Sequence, residues 1–167
     1  MKSIRAISKE ELSHIQSRWE LVGDVIFWKN GKMAGQKVAA STRASGHQNV
    51  YLRYNNKLTG YVLARIVWFL RTGEYPVLLV EHKDCNPKNN SIENLRLANQ
   101  SQNMANAKFG RTGNQKKGVY YDKRSKKYYT QVQKDGKVYS KAGFVSFNDA
   151  YIARQSLANK LFGEFAR

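Results

Sequence analysis

An α+β chain in two modules is predicted by three features of the sequence. Residues 59–108 place a helix pattern and a short apolar strand before one asparagine-rich loop. Residues 117–167 change to strict two-residue alternation and end in one helical stretch. Between them FGRTGNQK, residues 109–116, is polar, basic and glycine-bearing, the composition of a linker. Residues 1–58 read as a β-rich region belonging to the first module.

The elements follow in order. ISKEELSHI, from Ile7, opens a short helix with Ser8 as cap and Glu11 three residues on. GDVIFWKNGK reads as a strand ending in a turn at Asn30-Gly31, KVAAST as another strand, and NVYLRYNNKLTGYV as strands turning at Asn55-Asn56. His14 and His47 fall here and read as surface or packing residues. The helix expected over Tyr61–Leu70 gathers Leu63, Ile66, Val67 and Leu70 on one face and stops at Thr72-Gly73 and Pro76. VLLVEH then forms a buried strand that delivers Glu81 and His82 at its end. Beyond the linker GVYYD, KYYTQVQ and KVYSKA make three strands, with Lys134-Asp135-Gly136-Lys137 as a tight hairpin. Ser146 caps a helix from Phe147 to about Leu161, with Ala150, Ala153, Leu157 and Leu161 as its inner stripe.

Composition narrows the partners. The 167 residues carry 29 Lys/Arg against 12 Asp/Glu, a net charge of +17. Such a field attracts polyanions, and nucleic acid above all. The charge is densest at the start of the second module, where Lys108–Lys127 hold eight basic residues and one acid. One cysteine, Cys85, excludes an internal disulfide and a Cys-rich structural zinc site. The apolar run GYVLARIVWFL is broken by Arg65 and too short to cross a bilayer, and MKSIRAISKEEL lacks a signal-peptide core. A cytoplasmic protein without membrane partners is expected.

The stretch EHKDCNPKNNSIENLRLANQSQNMANAK, from Glu81, carries the chemistry. Phosphodiester hydrolysis needs a base for water, a cation for the phosphate and a group that fixes the base. His82 supplies an imidazole that titrates near neutrality. Glu81 offers a hard oxygen suited to magnesium or manganese. Asn94 and Asn103 add amide oxygens and donors without charge.

With "EH", then "NNSIENL" placing Asn94 twelve residues after His82, then "SQNM" placing Asn103 nine further, the stretch resembles the ββα-metal motif of the HNH (His-Me finger) endonucleases in their H-N-N form. The segment ARIVWFLRTGEYP resembles the lead-in of phage and intron-encoded members. The resemblance implies a general base at His82 and one divalent cation on Glu81 and Asn103. It implies that Asn94 orients the histidine through a backbone hydrogen bond and that Asn90 supports the loop. The chain departs from the family pattern at Glu81, where Asp or His is usual, at Cys85, near which Gly is usual, and at Ala64, where His is usual.

In the second module, parity places Val119, Tyr121, Tyr128, Thr130, Val132 and Val138 under the helix. Tyr120, Tyr129, Gln131, Gln133, Lys137, Tyr139 and Lys141 fall on the open face, a mixture of rings, amides and cations suited to DNA grooves and phosphates. Lys116, Lys117 and Arg124 extend that basic surface. The stretches KGVYYDKRSKKYY, DGK, AGF and ANKLFGEFA resemble an AP2 DNA-binding domain, a three-stranded antiparallel sheet with one helix. An HNH module followed by an AP2 module is typical of homing endonucleases, many of them from bacteriophages. The expected protein is thus a site-selective, metal-dependent endonuclease acting on double-stranded DNA, as a monomer in preference to a homodimer. The alternatives are a DNA-binding protein whose nuclease site has decayed, with Glu81 as the lesion, and an RNA-binding accessory protein.

Overall fold

The computed structural model describes residues 5–107 and 118–167. The chain forms two compact units, residues 1–97 and 98–167. The linker expected at 109–116 lies outside the described residues, as do Lys116 and Lys117.

The first unit opens with α1 (Lys9–Arg18), whose cap Ser8 accepts from the Glu11 amide at 3.2 Å. β1 (Trp19–Val22) and β2 (Val25–Trp28) pair antiparallel around Gly23, which turns at φ +60°. β3 (Ala40–Thr42), β4 (Gln48–Tyr54) and β5 (Lys57–Val62) form a second antiparallel sheet in the order β3-β4-β5. The β4–β5 turn is Asn55-Asn56, with φ of +47° and +61°. Both values fit a type I′ hairpin, and asparagine tolerates them better than most residues. α2 spans Leu63–Thr72, two residues later than the sequence suggests, because Tyr61 and Val62 complete β5.

One apolar core gathers Ile15, Trp19, Ile26, Val50, Leu52, Tyr61, Ile66, Val67, Phe69 and Leu95. Ala64 is buried there at 2% exposure. Arg65 is buried beside this core, and its guanidinium donates to Tyr75 Oη (3.1 Å), Leu78 O (2.8 Å) and Pro76 O. Three acceptors offset much of the cost of burying that cation. They also tie residues 75–78 to α2, which fixes the lead into β6 (Leu79–His82). β6 pairs with β7 (Leu95–Ala98), and the chain enters α3 (Gln100–Asn106) through a capping box formed by Asn99 and Gln102.

In the second unit β8 (Val119–Asp122), β9 (Lys127–Lys134) and β10 (Lys137–Phe144) form an antiparallel sheet in the order β10-β9-β8. Asp135 and Gly136 turn the β9–β10 hairpin at φ +49° and +80°. α4 (Phe147–Phe162) is capped by Ser146 and leads into a 3₁₀ turn at Gly163–Phe165. Its fully buried positions are Ala150, Arg154, Ala158 and Phe162, while the expected Leu157 and Leu161 pack against the same core partly buried. Ala98 and Ala105 join Val132, Ala158, Phe162 and Phe165 in the core of this unit. That packing sets the unit boundary before α3, ahead of the expected linker.

Candidate active site

β6 ends with Glu81 and His82 both buried, at 4% and 6% exposure. The loop that follows folds around Asp84. Its carboxylate accepts from the Asn86 amide (2.7 Å), Asn89 Nδ2 (2.8 Å) and Asn94 Nδ2 (3.0 Å). Partial burial works against the charged form of Asp84. These donors and the neighbouring His82 outweigh it and hold the carboxyl below its ordinary value. Cys85 takes the left-handed conformation at φ +59°, the value that favours glycine.

Asn94 closes this loop. Its Oδ1 accepts from the Asp84 amide (3.1 Å), its Nδ2 also donates to Asn89 O (2.8 Å), and its backbone oxygen accepts from the Lys83 amide (2.8 Å). Asn94 therefore grips the backbone immediately after His82. Asn90 reaches the ring, its Oδ1 lying 3.1 Å from His82 Nε2. An amide oxygen only accepts, so Nε2 donates in this contact, and in a neutral ring the lone pair then lies on Nδ1.

Glu81 points its Oε2 at Arg96 Nε, 2.8 Å away. Its Oε1 is buried with no hydrogen-bond partner among the described residues. A buried carboxylate oxygen without a donor is costly, and a hard cation would satisfy it. The buried, half-satisfied Glu81 thus fits the part of an anionic ligand to a divalent ion. Among the described residues no group of three or more His, Cys, Asp or Glu side chains gathers to hold a metal. Asn103, the amide expected beside Glu81, is the fourth residue of α3, half-buried, within the second unit.

Two contacts around His82 and Asn90 have no signal in the sequence. His47, which reads from the sequence as a packing or surface residue, places its ring 5.8 Å from that of His82 at 61°. Enclosure first, then the nearby His82 and Arg43, hold His47 below its ordinary pKa. Gln48 meets Asn90, its Oε1 accepting from Asn90 Nδ2 at 3.0 Å. No motif spacing reports either contact, because the partners lie some forty residues apart in the chain. His14 lies elsewhere, against Tyr54 and the Arg53 carbonyl.

The C-terminal sheet requires a correction. The register pairs Gln133 with Val138, Val132 with Tyr139, Gln131 with Ser140 and Thr130 with Lys141. Directly paired residues share a face. Tyr120, Tyr129, Gln131 and Gln133 thus lie with Val138, Ser140 and Ala142, and Val138 is 58% exposed. Lys137, Tyr139 and Lys141 belong to the opposite face, with buried Thr130 and Val132, yet stay exposed along edge strand β10. Tyr120 and Tyr129 stack at 5.3 Å and 27° on the open face. Arg124 is exposed in the β8–β9 turn, its amide donating to Asp122 Oδ1.

No helix among the described residues is long and apolar enough to cross a membrane. No curated protein matches the chain. A solved structure described as "DNA binding and cleavage by the HNH homing endonuclease I-HmuI" is similar to it, with a TM-score of 0.46 at 19% identity over 88% of this chain and 85% of that one. Residues 61–105, running from the end of β5 through α2, β6, the asparagine loop and β7 into α3, match the model of the HNH endonuclease family.

Proposed function

We propose that the chain is a DNA endonuclease that hydrolyses phosphodiester bonds with His82 as general base. The observation that carries this reading is the Asn90–His82 contact of 3.1 Å, in which Nε2 donates and Nδ1 is the nitrogen that would take the proton. The match of residues 61–105 to the HNH endonucleases supports it.

In this reading water gives a proton to His82 Nδ1 while its oxygen bonds to phosphorus. The bond from phosphorus to the 3′ oxygen breaks, and that oxygen takes a proton from solvent. The products carry 5′-phosphate and 3′-hydroxyl ends. Glu81 and Asn103 would hold a divalent cation, magnesium or manganese, whose chemistry is to neutralise charge on the phosphate and the departing oxygen. Asn94 fixes the backbone behind the base, and Asn90 fixes the ring. Duplex DNA would lie against the face of Tyr120, Tyr129, Gln131 and Gln133, an AP2-like use of such a sheet. The basic side chains Lys137, Lys141, Arg124, Lys116 and Lys117 would meet phosphates. A monomer with one such site nicks one strand per encounter, as a homing-type enzyme of a bacteriophage would.

The test is conversion of supercoiled plasmid to nicked or linear forms with magnesium or manganese and its arrest by EDTA. Absence of cleavage in every divalent metal refutes the proposal.

One observation favours a second reading, a DNA-binding protein that no longer cuts. Arg96 already supplies a cation to Glu81 Oε2. If that pair excludes the metal, the wild type binds DNA without cutting, and Glu81→Asp, by shortening the reach to Arg96, restores cleavage.

A further inference from the structure

The base is gripped from outside its own loop. Gln48 opens β4, far from His82 in sequence, and its Oε1 accepts from Asn90 Nδ2 at 3.0 Å. The same Nδ2 donates to the Lys88 carbonyl at 3.3 Å. A carbonyl only accepts, so this longer contact favours the same facing of the Asn90 amide that Gln48 holds. Gln48 then offers its oxygen to Nδ2, and Asn90 offers its own to His82 Nε2 at 3.1 Å. A flipped Asn90 would set oxygen against oxygen at two points. His47, the residue before Gln48, crosses the ring at 61° with centroids 5.8 Å apart.

We propose that Gln48 is a positioning residue: through Asn90 it holds the His82 imidazole in the Nε2-protonated tautomer and in one orientation, with His47 packed against the ring. Its effect on rate rests on the reading of His82 as general base, whereas its effect on the tautomer does not. The relay acts on the base without touching DNA. Losing it therefore lowers kcat and leaves KM in place, because ring placement matters to the reacting geometry and not to binding.

The experiment compares the full chain with Gln48→Met, which keeps the volume and loses the acceptor, and with Gln48→Glu, which keeps an acceptor oxygen. Nitrogen-15 NMR at about pH 8, where an ordinary imidazole is neutral, reads the two ring nitrogens of His82, and single-turnover cleavage reads the rate. The wild type is expected to show protonated Nε2 and unprotonated Nδ1. Gln48→Met is expected to show mixed tautomers and cleavage slower by about tenfold at unchanged KM, with both restored in Gln48→Glu. A wild-type ring protonated on Nδ1, or ring signals identical in all three proteins, overturns the proposal. If the wild type cuts no DNA, the function above fails while the ring signals still decide the relay. If Gln48→Met does not fold, the ring signals of Gln48→Ala and Gln48→Glu decide it in the same way.

Discussion

Glu81 gives one carboxylate oxygen to Arg96 at 2.8 Å and buries the other with no donor among the described residues. A half-satisfied buried carboxylate is a destabilising element unless a second cation completes it. Glu81→Gln removes the anionic ligand while keeping shape. It is expected to cut about 100-fold more slowly, since a cation at the reacting phosphate supplies several kcal/mol. The wild type is expected to gain Tm in magnesium or manganese, and Glu81→Gln to lose that gain. Cleavage by Glu81→Gln at the wild-type rate contradicts the assignment.

Arg96→Met strips the carboxylate of its internal partner. Breaking a buried pair typically costs about 3–5 kcal/mol. Thermal melts are expected to show a large loss in EDTA and a partial recovery in magnesium, as the ion replaces the guanidinium. A loss that no divalent ion repairs indicates that Glu81 is a structural acid alone.

Cys85 holds φ +59° in the tight loop after His82. A side chain there costs about 1–2 kcal/mol, and glycine returns about 0.5–1 kcal/mol of that through its freer unfolded chain. Cys85→Gly is therefore expected to gain about 0.5 kcal/mol, read in urea or thermal melts, with cleavage unchanged. A clear loss of stability means that the thiol's contacts outweigh the strain.

Two titrations shape stability against pH. The folded pKa of His47 is depressed, so the unfolded chain takes the proton first. Its share of stability is present above about pH 6.5 and is lost as pH falls below that value. Asp84 is likewise depressed, so its share is present above about pH 3.9 and is lost as pH falls lower still. His47→Phe should flatten the first decline and Asp84→Asn the second, in melts from pH 8 to 3. Curves parallel to the wild type would show that neither group differs between the folded and unfolded states.

Under the proposed DNA-binding use of the C-terminal sheet, its register separates two kinds of contact. Gln131→Ala, on the face shared with Tyr120, Tyr129 and Gln133, should cost about 1–3 kcal/mol of discrimination between sites and leave the salt slope unchanged. Lys141→Ala, on the opposite face, should weaken binding to all sequences alike and reduce the slope by about one. Equal effects of both on all DNA would mean that the sheet does not read sequence.

Local signals in the sequence placed most elements well. Ser8, Ser146 and the Asp135-Gly136 turn act within a few residues, and the structure caps or turns at each. What depends on register or long-range contact was not legible. The two-residue hairpin sets Lys134 opposite Lys137 and hence Gln133 opposite Val138. Apolar character alone had put Val138 beside Val132. The loop asparagines were visible as a set, but which one reaches the ring depends on the path of the loop, and the structure selects Asn90. Gln48 and His47 sit on a hairpin far upstream with no motif of their own. The inner stripe of α4 includes the expected Ala150, Leu157 and Leu161, but also buried Arg154, a cation that apolar spacing does not flag.

Single-turnover cleavage of a duplex by the wild type and by His82→Ala, at equal DNA occupancy and with both proteins shown folded by their melts, tests the central claim most directly. A positioned general base contributes about 10²–10⁴-fold. The variant is expected to bind DNA as the wild type does and to cut slower by that factor. Equal rates for the two proteins contradict the claim.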